Sequence, residues 1–172
     1  MGAAYATRRL NPVATYAVGT SVFSALVMPS TVFEKYLGGV LAPNGHIYLV
    51  PHDEDRIGKL DPLTGAFSTV DISRVISGAW KYSGGVLAPN GHIYMVPRNA
   101  NNVGDFDSAT GAFSTVTIPG TNTQYDTKFS GGVLAPNGHI IFVPCNPDSI
   151  GDFDPVTGSF SAVDISRDIS RL

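Results

Sequence analysis

A chain of 172 residues, 43% hydrophobic and 15% charged, can fill the core of one ordinary domain, which excludes a disordered chain. A formal net charge of −3, with no long run of one sign, excludes the basic face that a general nucleic-acid binder needs. Cys145 is the single cysteine, so no intrachain disulfide forms and an intracellular location is favoured over secretion.

Residues 1–37 stand apart as an N-terminal segment. Arg8 and Arg9 come early, Glu34 is the first acidic residue, and residues 10–33 carry no charge. Three readings stay open. The first is an organelle transit peptide, which is basic and poor in acids. The second is a membrane helix, which needs about 20 mostly apolar residues. Pro12 and Pro29 dilute that run, although Ala17, Ser21 and Ala25 have a spacing that suits close helix packing in lipid. The third is a β-strand. VFSALVMP at 22–29 aligns with AFSTVTIP at 112–119, as an outermost strand of a partial repeat.

The rest of the chain is three copies of one unit, at 38–83, 84–130 and 131–172. GGVLAPNGHIY begins at Gly38, returns unchanged at Gly84, and returns as GGVLAPNGHII at Gly131. A spacing of 46 and then 47 residues is that of a propeller or solenoid array. Four short strands are predicted in each copy. In the first they run near 38–42, 46–50, 56–60 and 66–72. Pro43-Asn44-Gly45 makes the first hairpin, because Asn and Gly accept positive φ. Ile47, Tyr48, Leu49 and Val50 are apolar on both faces, which predicts a sheet covered on both sides. Asp61-Pro62-Leu63-Thr64-Gly65 supplies the second turn. Phe67, Phe113 and Phe160 begin the fourth strands and are expected to be buried between units. The tail 164–170 copies the linker 71–77.

GVLAPNGHIYLVP followed by DRIGKLDPLTGAFSTV resembles the blade repeat of the NHL and streptogramin-lyase-like β-propellers. The resemblance implies an all-β, propeller-type array of three four-stranded antiparallel blades plus the N-terminal segment. It further implies that the first strand of each blade lines a central axis and the fourth lies outermost. Closed rings of this kind need at least four blades, and three are found here. The terminal faces are therefore expected to need partners, either copies of this chain or a larger assembly. Streptogramin lyases use acid–base His and Glu residues with a magnesium ion, and no set of positions here matches theirs.

The candidate site residues are repeat positions. His46, His92 and His139 recur and could form a zinc set, but each follows Asn-Gly at a strand start and reads as a turn residue. Lys35, Lys81 and Lys128 recur in Lys-Tyr/Phe-x-Gly-Gly. They read either as an axial ring able to hold an anion or as solvated linker residues. Three equivalent loops differ while the framework holds. These are His52, Asp53, Glu54 and Asp55; then Arg98, Asn99, Asn101 and Asn102; then Cys145, Asn146 and Asp148. Such variation on a fixed scaffold points to a binding surface. No nucleophile elbow, phosphate loop or paired metal ligands are written, so no catalytic residue, metal or cofactor is expected. The favoured reading is a non-catalytic scaffold that binds protein. Its rivals are a fragment of a metal-dependent lyase-like enzyme and an accessory subunit tethered to a membrane by residues 10–33.

Overall fold

The computed structural model describes residues 32–119 and 126–169. The expected N-terminal strand or membrane helix lies outside them. No helix among the described residues is long and apolar enough to cross a membrane.

Twelve strands form three four-stranded antiparallel sheets. The first holds β1 (Tyr36–Leu41), β2 (Ile47–Pro51), β3 (Arg56–Leu60) and β4 (Phe67–Asp71), in that spatial order. The second holds β5 (Tyr82–Leu87), β6 (His92–Pro97), β7 (Asn102–Asp107) and β8 (Phe113–Thr117). The third holds β9 (Phe129–Leu134), β10 (Ile140–Pro144), β11 (Ser149–Phe153) and β12 (Phe160–Asp164). A helical turn, α1 (Ser166–Ile169), occupies the copied linker.

Local chemistry closes each hairpin. The Ala42 N–H donates to His46 O at 2.9 Å, and the His46 N–H donates to Asn44 Oδ1 at 3.1 Å. Gly45 takes φ +82 there, a conformation that costs glycine nothing. In the second turn, Asp61 Oδ1 accepts the Leu63 N–H at 2.8 Å and Asp61 Oδ2 accepts the Thr64 hydroxyl at 2.7 Å. The same bonds recur at Asp107 and Asp154.

The first strand of each sheet begins two residues earlier than the Gly-Gly pair predicts. Tyr82 and Phe129 are fully buried, which draws their backbone into the sheet. Gly38 and Gly84 then fall within the strand where the ladder register shifts, between Tyr36 and Gly39 and between Tyr82 and Gly85. Their positive φ makes them bulge glycines rather than strand starters.

Between sheets the close neighbours are β1 with β5, β2 with β5, β5 with β9 and β6 with β9. First strands therefore gather toward a common axis and fourth strands lie outermost. Two apolar layers result. One joins Val40, Tyr48, Val50 and Ile57 of the first sheet to Tyr82, Ile93, Met95 and Phe106 of the second. The other joins Val86, Tyr94, Val96 and Val103 of the second to Phe129, Ile140, Phe142 and Phe153 of the third. The array is open, and among the described residues no sheet precedes the first or follows the third.

That geometry corrects two expectations. Among the described residues, only the middle sheet has a neighbouring sheet on both faces. Val143 on the third sheet is 47% exposed, whereas its equivalent Val96 is fully buried. Phe67, Phe113 and Phe160 are half-buried, because the outermost strands lie where the sheets diverge. Phe113 covers the bare backbone of Gly104, at 3.0 Å from where a Cβ would stand. Phe113→Ala is therefore expected to cost roughly 2 kcal/mol, below the ~3–5 of a fully buried phenylalanine, as read by denaturant titration.

Candidate protein-binding surface

The loops after the second strands and the recurrent lysines meet at the sheet junctions. Lys81 and Lys128 are buried, so they are neither solvated linker residues nor groups at an open axial mouth. Each grips the loop of the preceding sheet. The Lys81 N–H donates to His52 O at 3.0 Å and its Nζ donates to Asp55 Oδ1 at 2.8 Å. The Lys128 N–H donates to Arg98 O at 2.7 Å and its Nζ to Asn99 O at 3.0 Å. Burial pushes the Lys128 pKa down, and nearby Asp126 opposes the shift. Lys35 sits one repeat earlier, half-buried, with its Nζ donating to Val32 O at 2.7 Å.

Sequence reasoning missed the residue before each lysine. Trp80 (φ +61) and Thr127 (φ +57) are left-handed, which aims their N–H groups at the preceding sheet. The Trp80 N–H donates to Asp53 Oδ1 at 2.9 Å and the Thr127 N–H to Asn99 Oδ1 at 2.7 Å. The recurrent Asp/Asn at 53, 99 and 146 was the available signal. His52 stacks on Trp80 at 6.2 Å, and the Arg98 guanidinium lies 5.5 Å from the same ring.

The other end of each junction is a second clasp, also unforeseen. Asn44 Nδ2 donates to Ser108 O at 2.8 Å and the Tyr48 hydroxyl to the same carbonyl at 3.3 Å. The Tyr94 hydroxyl donates to Pro155 O at 3.2 Å in the next junction.

Of the loop residues, His52 and Glu54 are buried, Asp53, Asp55, Arg98, Asn99 and Asn102 are half-buried, and Asn101, Cys145, Asn146 and Asp148 are exposed. Exposed polar loop surface is therefore richest on the third loop. The recurrent histidines lie on three separate sheets. His92 Nδ1 lies 2.6 Å from Asp105 Oδ1, and His139 Nδ1 lies 2.7 Å from Asp152 Oδ1. Lys59 takes the aspartate's place beside His46, whose buried Nδ1 has no hydrogen-bond partner. The His139–Asp152 pair opens on a pocket of about 270 Å³ that Asp154 and Phe160 also line. Its recurrence at His92–Asp105 marks the pair as a repeat feature rather than a single site.

Among the described residues one donor set is close enough to bear on the magnesium of the lyases. Ligand atoms of Glu34, His52 and Asp53 lie within 4.8 Å of one another. The set does not fit magnesium, which takes chiefly oxygen ligands in octahedral array. Only Glu34 and Asp53 offer it oxygen, and the third donor, His52, is a nitrogen ligand.

The turn aspartates carry a pH signature. The Thr110 hydroxyl, and then the Ala109 N–H, hold the Asp107 carboxyl below its ordinary 3.8, and Asp61 and Asp154 are held down in the same way. A depressed folded pKa gives stability that is complete above the unfolded value and is lost as pH falls through the folded one. Asp107→Asn is expected to flatten the loss of thermal stability as pH falls below the ordinary carboxylate value of 3.8. An acid profile identical to wild type would count against this bond network.

No family model and no curated protein matches the chain. Solved structures do. A catalytically inactive virginiamycin B lyase from Staphylococcus aureus, crystallised with quinupristin, superposes with TM-score 0.64 at 19% identity, over 76% of this chain and 41% of that one. A streptogramin B lyase gives TM-score 0.61 at 24% identity over the same shares. A nidogen/laminin complex structure gives 0.55 at 15%, over 74% and 47%. The chain has a streptogramin-lyase-like β-propeller fold. It spans about 41% of the length of the lyases it resembles.

Proposed function

We propose that this chain is a non-catalytic propeller-type scaffold that works by associating with protein, as a homo-oligomer or as an accessory subunit of a larger assembly. One observation carries the reading. Val133 and Val143 on the third sheet are 57% and 47% exposed, while their equivalents on the first two sheets are buried. An apolar face built to be packed is left in water, and such faces mark interaction sites. The unequal loops beside it supply surface that differs from repeat to repeat. An enzyme reading draws on fold likeness to lyases alone, and a fold does not carry its function with it.

The test is the size of the native particle. In extract of the cells that make it, the chain should elute well above its own 18.1 kDa, and the Val143→Asp chain should leave that particle. Elution as a single chain overturns the reading.

A further inference from the structure

We infer that the partner of the third sheet is the first sheet of a second copy of this chain, joined head to tail. The inference rests on the scaffold reading and names its partner. Its basis is that the two internal junctions are built from equivalent residues, and the two faces with no neighbouring sheet among the described residues carry the matching halves of a third.

The apolar layers show this position by position. The leading face of each packed sheet contributes Val40, Tyr48, Val50 and Ile57 in one junction, and Val86, Tyr94, Val96 and Val103 in the next. The third sheet presents Val133, Ile141, Val143 and Ile150 at the same positions. The trailing faces contribute Tyr82, Ile93, Met95 and Phe106, then Phe129, Ile140, Phe142 and Phe153. The first sheet presents Tyr36, Ile47, Leu49 and Leu60 at those positions, all half-buried.

Three details favour this chain over an unrelated partner. The first is shape. Valine methyls fill the hollow left by a glycine on the next sheet. Val40 and Val50 lie 3.1 Å from where a Gly85 Cβ would stand, and Val96 and Val86 lie 3.0 and 3.2 Å from that of Gly132. Val133 and Val143 are the unplaced knobs. Gly39 is the equivalent glycine on the first sheet, and the three atoms nearest its Cβ position, at 3.2 to 3.6 Å, all belong to its own sheet.

The second detail is paired substitution. Tyr48 packs on Phe106 at 4.9 Å and Tyr94 on Phe153 at 5.2 Å. On the free faces both partners change from aromatic to aliphatic together, to Ile141 and Leu60. A smaller knob meets a smaller seat.

The third detail is polar. Glu34 keeps the left-handed conformation, φ +43, of Trp80 and Thr127. Lys35 keeps the pose of Lys81, whose Nζ likewise bonds the carbonyl three residues back, that of Gly78. Only the loop they should grip is missing among the described residues. Asn146 and the exposed Asp148 hold the places of Asp53 and Asp55 on the third loop. In the joined pair the Glu34 N–H reaches Asn146 Oδ1, and Lys35 pairs with Asp148. Ser83 Oγ donates to Phe129 O across the second junction at 2.7 Å, and Ser130 is the same hydroxyl awaiting Tyr36 O.

Two chains joined at both ends would give six sheets, within the four to eight of known propellers. The contact is heterologous, so it repeats at the other end and closes if the rotation fits.

The purified 172-residue chain is examined by sedimentation equilibrium at micromolar concentration. The expected mass is twice 18.1 kDa. Val143→Asp, at a site already exposed in the single chain, should raise the dissociation constant about tenfold or more. Lys35→Glu should also weaken the pair, and adding Asp148→Lys should restore it. Geometry is read separately in a Cys145→Ser background. Chains with Val143→Cys and chains with Gly39→Cys, mixed and mildly oxidised, should form a disulfide that links the two kinds of chain. Absence of that mixed disulfide overturns the head-to-tail contact. So does a purified chain that stays monomeric. If that monomer is found while the native particle remains large, the second copy is ruled out as partner and the scaffold reading stands.

Discussion

Phe142→Ala should remove about 4 kcal/mol of folding stability, the largest single loss expected in the chain. The side chain is fully buried, with the rings of Phe129, Phe153 and Phe160 at 5.3, 6.2 and 6.2 Å. It also covers bare backbone, since Cβ atoms built on Gly132 and Gly151 would meet it at 3.2 and 3.1 Å. Truncation leaves a cavity that these fixed strands cannot collapse into. Domains are stable by only about 5–15 kcal/mol, so the loss is a large fraction of the whole. Urea titration with an unchanged m-value reads it directly. Val156→Ser, at a turn position 91% exposed, is the control and should stay within about 0.5 kcal/mol of wild type. A Phe142→Ala loss below about 1 kcal/mol would mean that the third sheet is not docked as described.

Asp55→Ala should cost roughly 2–4 kcal/mol, because it leaves a buried ammonium group with the Gly78 carbonyl but no counter-charge. The Lys81 side chain is 3% exposed and its Nζ is 2.8 Å from Asp55 Oδ1. Asp55 is itself 37% exposed, so water screens part of the pair and the lower half of that range is expected. Asp55→Asn should cost less. The second junction carries Asn101 at the equivalent position, and there Lys128 turns to the Asn99 carbonyl instead. The decisive variant is Lys81→Met combined with Asp55→Ala. Removing both charges should recover part of the stability, giving a positive coupling in the double-mutant cycle. Strict additivity would mean that the ion pair contributes nothing to the junction.

The strands were legible because their signals are local. Asn-Gly turns and the Asp-x-x-Thr-Gly turn each close through bonds within five residues, so the letters alone place the hairpins. The Gly-Gly pair reads as a strand start in the sequence, whereas the strand has already begun two residues earlier, at the buried Tyr82 and Phe129. The loops were legible as variable surface, yet the polar cluster at 52–55 hides the buried His52 and Glu54. Their burial depends on which sheet lies against the loop, and no spacing in the sequence records that.

The lysines show the same division most clearly. Recurrence at 35, 81 and 128 marks a repeated role, and a flexible cation at a linker reads as solvated. Docking decides otherwise, because each sheet lays its lysine over the loop of the sheet before it and excludes water there. The sequence by itself determined the repeating unit, its four strands, its turns and the apolar letters of both faces. These follow from backbone conformational preference and side-chain alternation, which act over a few residues. The tertiary structure alone decided which faces are paired, which cations are buried and which valines remain in water. Those outcomes depend on contacts between positions one whole repeat apart, where equal letters meet unequal surroundings.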